Sequence, residues 1–226
     1  MDNALTVLSR YLRELLAVLY PSTCIACESF IADAAIVCAA CTTVLRPAAS
    51  FVMPVTAVRS LSVIPACLYE GPVVGLVLAK QWRNLGAARA LGLLVAAHLA
   101  RLESRYDCVM AVPLHWTRYA RRGYNQSYEM ARVVAAKCTL PLYVPFYRRR
   151  ATASQTAVNG AERRANVAGA FAPLFSLSYA RTRIAGKHVL IIDDVFTTGA
   201  TVQALAQQVF AAGAATVTVA VACRAV

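Results

Sequence analysis

The segment from Val189 to Thr201, VLIIDDVFTTGAT, joins an apolar run to two adjacent acids and then to a Thr/Gly turn. His188–Ile192 reads as a buried strand. Val202, Leu205, Ala206, Val209 and Phe210 then follow a helical spacing, Gly213 stops that helix, and Thr216–Val221 is a second apolar strand. Strand, helix and strand make a βαβ unit, whose ligand site lies beyond the carboxyl end of the first strand. There, Thr197, Thr198, Gly199, Ala200 and Thr201 can turn backbone N–H groups and hydroxyls towards an anion, at the positive end of the helix dipole. Gly199 lets the backbone come close to a phosphate. Asp193 and Asp194 would repel phosphate, but they accept hydrogen bonds from vicinal hydroxyls and attract hydrated Mg2+. A phosphate cradle beside a hydroxyl-binding acidic pair describes a ribose 5-phosphate site. A strand-end acidic pair followed by a Thr-rich helix cap, with Thr198 or Thr201 as the cap, explains each piece singly but not their order. The Gly-Lys-Ser/Thr ending of a Walker loop is absent.

The rest of the chain alternates strands and helices in the same way. Residues 72–101 carry a helical pattern with Leu91, Leu94, Val95, Leu99 and Leu102 on one face. Cys108–Val112 is a short strand stopped by Pro113, and Gly123 to Lys137 opens with turn residues and becomes helical. Residues 46–65 read as linker and strand, and residues 148–166 as a polar, basic loop or partial helix. The expected fold is α/β, a mainly parallel sheet with helices on both faces.

Charge concentrates where a phosphate ligand would need it. The chain carries net charge +12, and residues 116–187 hold 13 Lys or Arg against Glu129 and Glu162. Such a block suits phosphates on a small ligand or along a nucleic acid, and a plain solvated face is the competing reading. Its arginines are suited to bidentate phosphate contacts.

Upstream, Cys24-x2-Cys27 and Cys38-x2-Cys41 are two chelating pairs ten residues apart. Four thiolates make a closed tetrahedral site for structural Zn2+. Redox use of a CxxC pair stays open, and disulfides fit poorly with a cytosolic protein. Cys67, Cys108, Cys138 and Cys223 lie in apolar segments and read as core. Leu5, Leu8, Leu12, Leu15, Leu16 and Leu19 follow helical spacing with Arg10, Arg13 and Glu14 off the stripe. The expected organisation is an amphipathic helix over 1–20, a four-cysteine zinc module over 21–46 and the α/β domain over 66–226. No apolar run is long enough to span a bilayer, and charges interrupt any secretory-signal core, so a cytoplasmic protein is expected.

VLIIDDVFTTGAT resembles the phosphoribosyl diphosphate (PRPP) motif of type I phosphoribosyltransferases. Together with CLYEG at 67–71, AVPLH at 111–115, RRGYNQS at 121–127 and RRRATASQTAVNGAERRANVAGAF at 148–171, it occurs in the order seen in ComF-family proteins, which are competence-associated and usually carry a cysteine zinc module. The resemblance implies a type I phosphoribosyltransferase-like sheet under a flexible hood. It implies PRPP ribose and Mg2+ at Asp193 and Asp194, and the 5-phosphate at Thr197–Thr201. It further implies pyrophosphate contacts from Arg121, Arg122, Asn125 and Lys80, and hood residues Gln155, Arg163 and Asn166. Gln81 and Trp82 depart from the family's aromatic-glycine context beside that lysine. Thr197 stands where purine-salvage members carry an Asp that handles the base proton, which argues against purine salvage and leaves the acceptor undefined. The functional expectation is a PRPP-binding ComF-type protein of DNA uptake and natural transformation, leaning to phosphoribosyltransferase activity. The alternatives are a non-catalytic PRPP-sensing factor that binds single-stranded DNA, a transferase of nucleotide metabolism, and a zinc-stapled interaction protein. For the DNA reading, Trp116, Tyr119, Tyr124 and Tyr128 can stack bases, although most are expected in the core.

Overall fold

Apolar residues alternate between two faces along the central strands, so the sheet needs cover on both sides. A computed structural model describes residues 23, 24, 27, 29–31, 37–79, 85–151 and 169–225. The helix expected over 1–20, Lys80, and Gln155, Arg163 and Asn166 lie outside these residues.

The strands are β1 (Phe51–Pro54), β2 (Ser60–Leu68), β3 (Cys108–Ala111), β4 (Leu142–Tyr143), β5 (Phe146–Arg148), β6 (Phe171–Pro173), β7 (His188–Phe196) and β8 (Thr216–Arg224). The helices are α1 (Ala39–Thr43), α2 (Pro72–Ala79), α3 (Leu85–Leu99), α4 (Trp116–Arg122), α5 (Gln126–Cys138), α6 (Leu177–Ile184) and α7 (Ala200–Ala211). Among the described residues the main sheet has the order β1-β2-β8-β7-β3-β4, parallel except for β1. β5 and β6 form a separate antiparallel hairpin.

Val63, Met110, Val189, Ile191, Val217 and Val219 face one core, which α6, α7 and the hairpin residues Phe146 and Phe171 complete. Ile64, Val109, Leu190, Ile192 and Ala220 face the other, beneath α2, α3 and α5. Helices therefore cover both faces, as expected. Several bounds differ from those read in the sequence. The stretch 72–101 contains two helices, α2 and α3, and residues 46–65 contain β1 and most of a hairpin with β2. β7 runs on to Phe196 and β8 to Arg224, because parallel pairing continues at Asp193↔Val221 and Val195↔Cys223. Pairing with a neighbour outweighs the low strand propensity of two acids.

The order places β3 beside β7. From β3 the chain passes to β4 on one side, and from β7 to β8 on the other. Between β3 and β7 lies a topological switch point, where an open α/β sheet forms a crevice at the carboxyl ends of its strands.

α5 leads into that crevice and is held by a close helix contact. A Cβ on Gly92 of α3 would fall 2.9 Å from the Met130 Cα of α5 and 3.0 Å from the Val133 Cβ. Gly92→Ala must push backbone from backbone. We expect a loss of about 1–3 kcal/mol, as for other overpacked cores. Thermal unfolding checks this, and an unchanged midpoint would show that the helices separate freely.

Candidate functional site

β7 ends in the acids, and the chain then turns. Gly199 is the N-cap of α7 with φ +74, in the left-handed region, and no side chain caps the helix. The threonine-cap alternative is thus not adopted. Neither Thr198 nor Thr201 is the cap. The turn borders a small open pocket lined by Asp193 and by every residue from Thr197 to Thr201. Thr197 and Thr198 are exposed, while Gly199 and Ala200 are buried. A Cβ on Gly199 would lie 2.6 Å from Phe196 Cζ and 3.0 Å from Met53 Sδ, so the turn leaves no room for a side chain. Asp194 Oδ1 accepts a hydrogen bond of 2.6 Å from the Val195 N–H. Asp193 Oδ1 accepts one of 2.7 Å from Ser127 Oγ, in the first turn of α5.

The turn after β3 forms the facing wall. The Val112 N–H donates to the Ile192 carbonyl at 3.0 Å, which keeps the end of β3 against β7. His115 then caps α4 by accepting from the Thr117 N–H, and Gly123 closes it at φ +81 with its N–H on the Tyr119 carbonyl. Arg121 and Arg122 occupy the last turn of α4 and complement its dipole. Asn125 is the N-cap of α5, but its side-chain amide donates to the Val112 carbonyl at 3.0 Å. In this structure that amide ties α5 to the end of β3.

Two arginines that sequence reasoning did not single out also belong here. Arg148 is buried at the end of β5, its guanidinium 5.5 Å from the Phe171 ring, and its backbone bridges to His115. Burial and the nearby Arg118 charge lower its pKa, while Asp193 pulls the other way. Arg118 is lowered by burial and by its neighbours Arg122 and Arg121. Arg118 and Asp193 are thus each within electrostatic reach of Arg148. The described chain on either side of residues 152–168 is joined at Arg149. The Arg149 N–H donates to the Ala170 carbonyl at 2.8 Å, and Arg149 Nε to the Gly169 carbonyl at 2.8 Å. Only burial could have marked Arg148, and periodicity in a three-residue strand does not reveal it.

Of the four aromatics considered for base stacking, Trp116 (71% exposed) and Tyr119 (53%) stand out from α4, which buries no residue. Tyr124 is buried and Tyr128 packs partly against the α3/α5 core.

The second site is the cysteine cluster. Sγ atoms of Cys24, Cys27, Cys38 and Cys41 all lie within 4.8 Å of one another, and the Cys27 and Cys38 sulfurs are 3.7 Å apart. Tetrahedral Zn–S bonds of 2.3 Å put sulfurs about 3.8 Å apart, so the cluster fits Zn2+. Backbone N–H groups of Cys38 and Cys41 donate to Cys24 Sγ and Cys38 Sγ, both at 3.3 Å, which suits sulfurs carrying negative charge. Cys67, Cys108 and Cys223 are buried core residues, and Cys138 packs partly into the core. Burial pushes the Cys67 and Cys108 thiols up to about 11, keeping them protonated and unreactive at neutral pH.

With this geometry, residues 92–225 match the phosphoribosyl transferase domain family model. The chain belongs to that family. DNA utilization protein YhgH of Escherichia coli O157:H7 is 37% identical over 120 residues, covering 52% of this chain and 49% of its own. YhgH of Salmonella typhi is 35% identical over 146 residues, covering 62% and 61%. Competence protein F of Haemophilus influenzae is 28% identical over 102 residues, covering 45% and 43%. These relatives support the ComF family within the larger one. The match takes in about half the length of the first of these relatives.

Proposed function

We propose that the chain is a ComF-type DNA-utilization protein that binds PRPP at the end of β7. The observation that carries this reading is the pocket in which Asp193 meets the whole turn Thr197–Thr201. The turn would bind the 5-phosphate through its N–H groups and hydroxyls, and Asp193 and Asp194 the ribose hydroxyls. Arg121 and Arg122, with Arg118 and Arg148 beside them, would hold the pyrophosphate. Bound Mg2+ would offset pyrophosphate charge, and the acidic pair with PRPP oxygens supplies the hard ligands it prefers. The hood would close to exclude water. For transfer, these residues would orient the anomeric carbon and stabilise the departing pyrophosphate. With Thr197 beside the ring there is no carboxylate at that position to take a base proton, so the acceptor would bring its own nucleophile.

Calorimetric titration with PRPP, with and without Mg2+, tests the reading. The native protein is expected to bind in a Mg2+-dependent way, and Asp193→Asn/Asp194→Asn to bind roughly 100-fold more weakly, as for two charge-assisted hydrogen bonds. Absence of binding by the native protein would sink it. A PRPP-dependent pyrophosphate-release screen over candidate acceptors then separates transferase from sensor.

The exposure of Trp116 and Tyr119 on α4, next to Arg121 and Arg122, favours a second reading at the same rim: a platform for single-stranded DNA. Stacking contributes about 1–3 kcal/mol per base, and arginine–phosphate contacts make affinity fall with salt. Trp116→Ala/Tyr119→Ala is expected to weaken single-stranded DNA binding at least about tenfold. A flat salt response would exclude this reading. Among the described residues no helix is long and apolar enough to cross a membrane. A cytoplasmic setting, which keeps thiolates reduced for Zn2+, belongs to the same proposal.

A further inference from the structure

We infer that Ser127 is a positioning residue that orients Asp193 for a vicinal diol, so that the pocket selects ribose over 2-deoxyribose 5-phosphates. This rests on the PRPP reading above and goes beyond it. Ser127 is buried, and its Oγ is 2.7 Å from Asp193 Oδ1, a bond joining positions 66 residues apart. A carboxylate without such a partner turns about its last torsion, where the preference is broad and two-fold. A short O–H···O⁻ bond from a buried, helix-borne hydroxyl fixes its plane.

The hydroxyl is itself held in place. Ser127 lies in the first turn of α5, whose N-cap Asn125 is tied to the Val112 carbonyl, and Val112 is tied to Ile192 of β7. The loop of contacts thus runs from β7 through β3 and α5 back to Asp193. Asp194 is oriented differently, by the backbone N–H of Val195 at 2.6 Å. Asp193, which lines the pocket, is held by Ser127 as an acceptor of fixed plane for the sugar hydroxyls. A sugar lacking the 2-hydroxyl leaves that carboxylate desolvated without one of its ligand hydrogen bonds, which disfavours that sugar. A DNA strand bound by this protein would then lie outside the phosphate pocket, because its sugars lack that hydroxyl.

The test compares ribose 5-phosphate with 2-deoxyribose 5-phosphate by calorimetry on the full chain. Native protein is expected to prefer ribose at least about tenfold. Ser127→Ala is expected to reduce that ratio several-fold, and Ser127→Thr, which keeps the hydroxyl, to restore it. A general loosening of the fold weakens both sugars together and leaves the ratio unchanged, so thermal unfolding of each variant is measured alongside. If the native protein prefers ribose and Ser127→Ala keeps the native ratio, or if Ser127→Thr fails to restore a lost one, Ser127 has no positioning role. Native binding of PRPP without any preference between the two sugars also overturns the inference while leaving the PRPP reading standing. Native protein that binds neither PRPP nor ribose 5-phosphate overturns both.

Discussion

Gly199→Ala is expected to abolish PRPP binding and to destabilise the fold together. At φ +74 an alanine sits in the left-handed region, at a cost of about 1–2 kcal/mol. Its Cβ would also meet Phe196 Cζ at 2.6 Å and Met53 Cε at 3.0 Å. Methionine can move aside, but the phenylalanine ring cannot do so easily. It packs edge-on against Phe51, centroids 5.2 Å apart, and Arg224 sits 4.3 Å from the centroid of the Phe51 ring. Relief must therefore come from the turn, which would swing the N–H groups of residues 197–201 out of register with a phosphate. The overpacking adds about 1–3 kcal/mol to the backbone term. The binding loss should be roughly 100-fold or more, equivalent to two charge-assisted hydrogen bonds. Denaturant unfolding and PRPP calorimetry on the same preparation measure both. Unchanged binding would mean that the turn is not the phosphate cradle. Ala200→Gly, one residue on, is the control, since it adds no atom and leaves the φ +74 position untouched.

The motif around β7 was legible because each part constrains the chain locally. An apolar run makes a buried strand, a glycine permits the turn, and an apolar stripe makes α7. The bounds were less legible. Asp193 and Asp194 read as the end of a strand, yet β7 continues through them because β8 supplies a parallel partner as far as Arg224. α4 was missed altogether: it has seven residues and buries none of them, so no apolar stripe could announce it. The hairpin of β5 and β6 was hidden for a similar reason. Three-residue strands carry too little alternation, and their pairing joins Phe146 to Pro173 across the polar block. The spacing of RRGYNQS does not show that Asn125 ties α5 to Val112 or that Ser127 meets Asp193. Such distinctions depend on which side chains meet across elements distant in sequence. They become visible only when the sheet order brings β3 beside β7.

Removing the metal from the cysteine cluster should have the other large effect. Four sulfurs gathered within 4.8 Å are a poor arrangement without a cation, since thiolates at that spacing repel. Hydrogen bonding with Cys27 and burial hold the Cys41 thiol well above its ordinary pKa, while the Cys41 N–H draws Cys38 down, so the four cannot all ionise alone. Zn2+ would resolve the conflict by taking all four as thiolates, and structural zinc contributes on the order of 10–16 kcal/mol in small modules. One zinc per chain is expected by metal analysis. Cys24→Ser and Cys41→Ser remove buried ligands and should each drop occupancy well below that, whereas Cys67→Ser, in the core, should leave it unchanged. The consequences should reach the sheet. Just after α1 the Arg46 carbonyl accepts from the Leu68 N–H at 2.8 Å, Arg46 pairs with Glu70 at 3.2 Å, and Leu45 packs against the α2/α3 core. Loss of zinc should therefore loosen the end of β2 as well as the cluster, which hydrogen exchange at Leu68 and Tyr69 reads directly. The site beyond β7 lies past the intervening β8 in the sheet order, so PRPP affinity should change little. Full zinc occupancy in Cys24→Ser would refute the four-thiolate site, and abolished PRPP binding in the zinc-free protein would show that the two sites are coupled through β2 and β8.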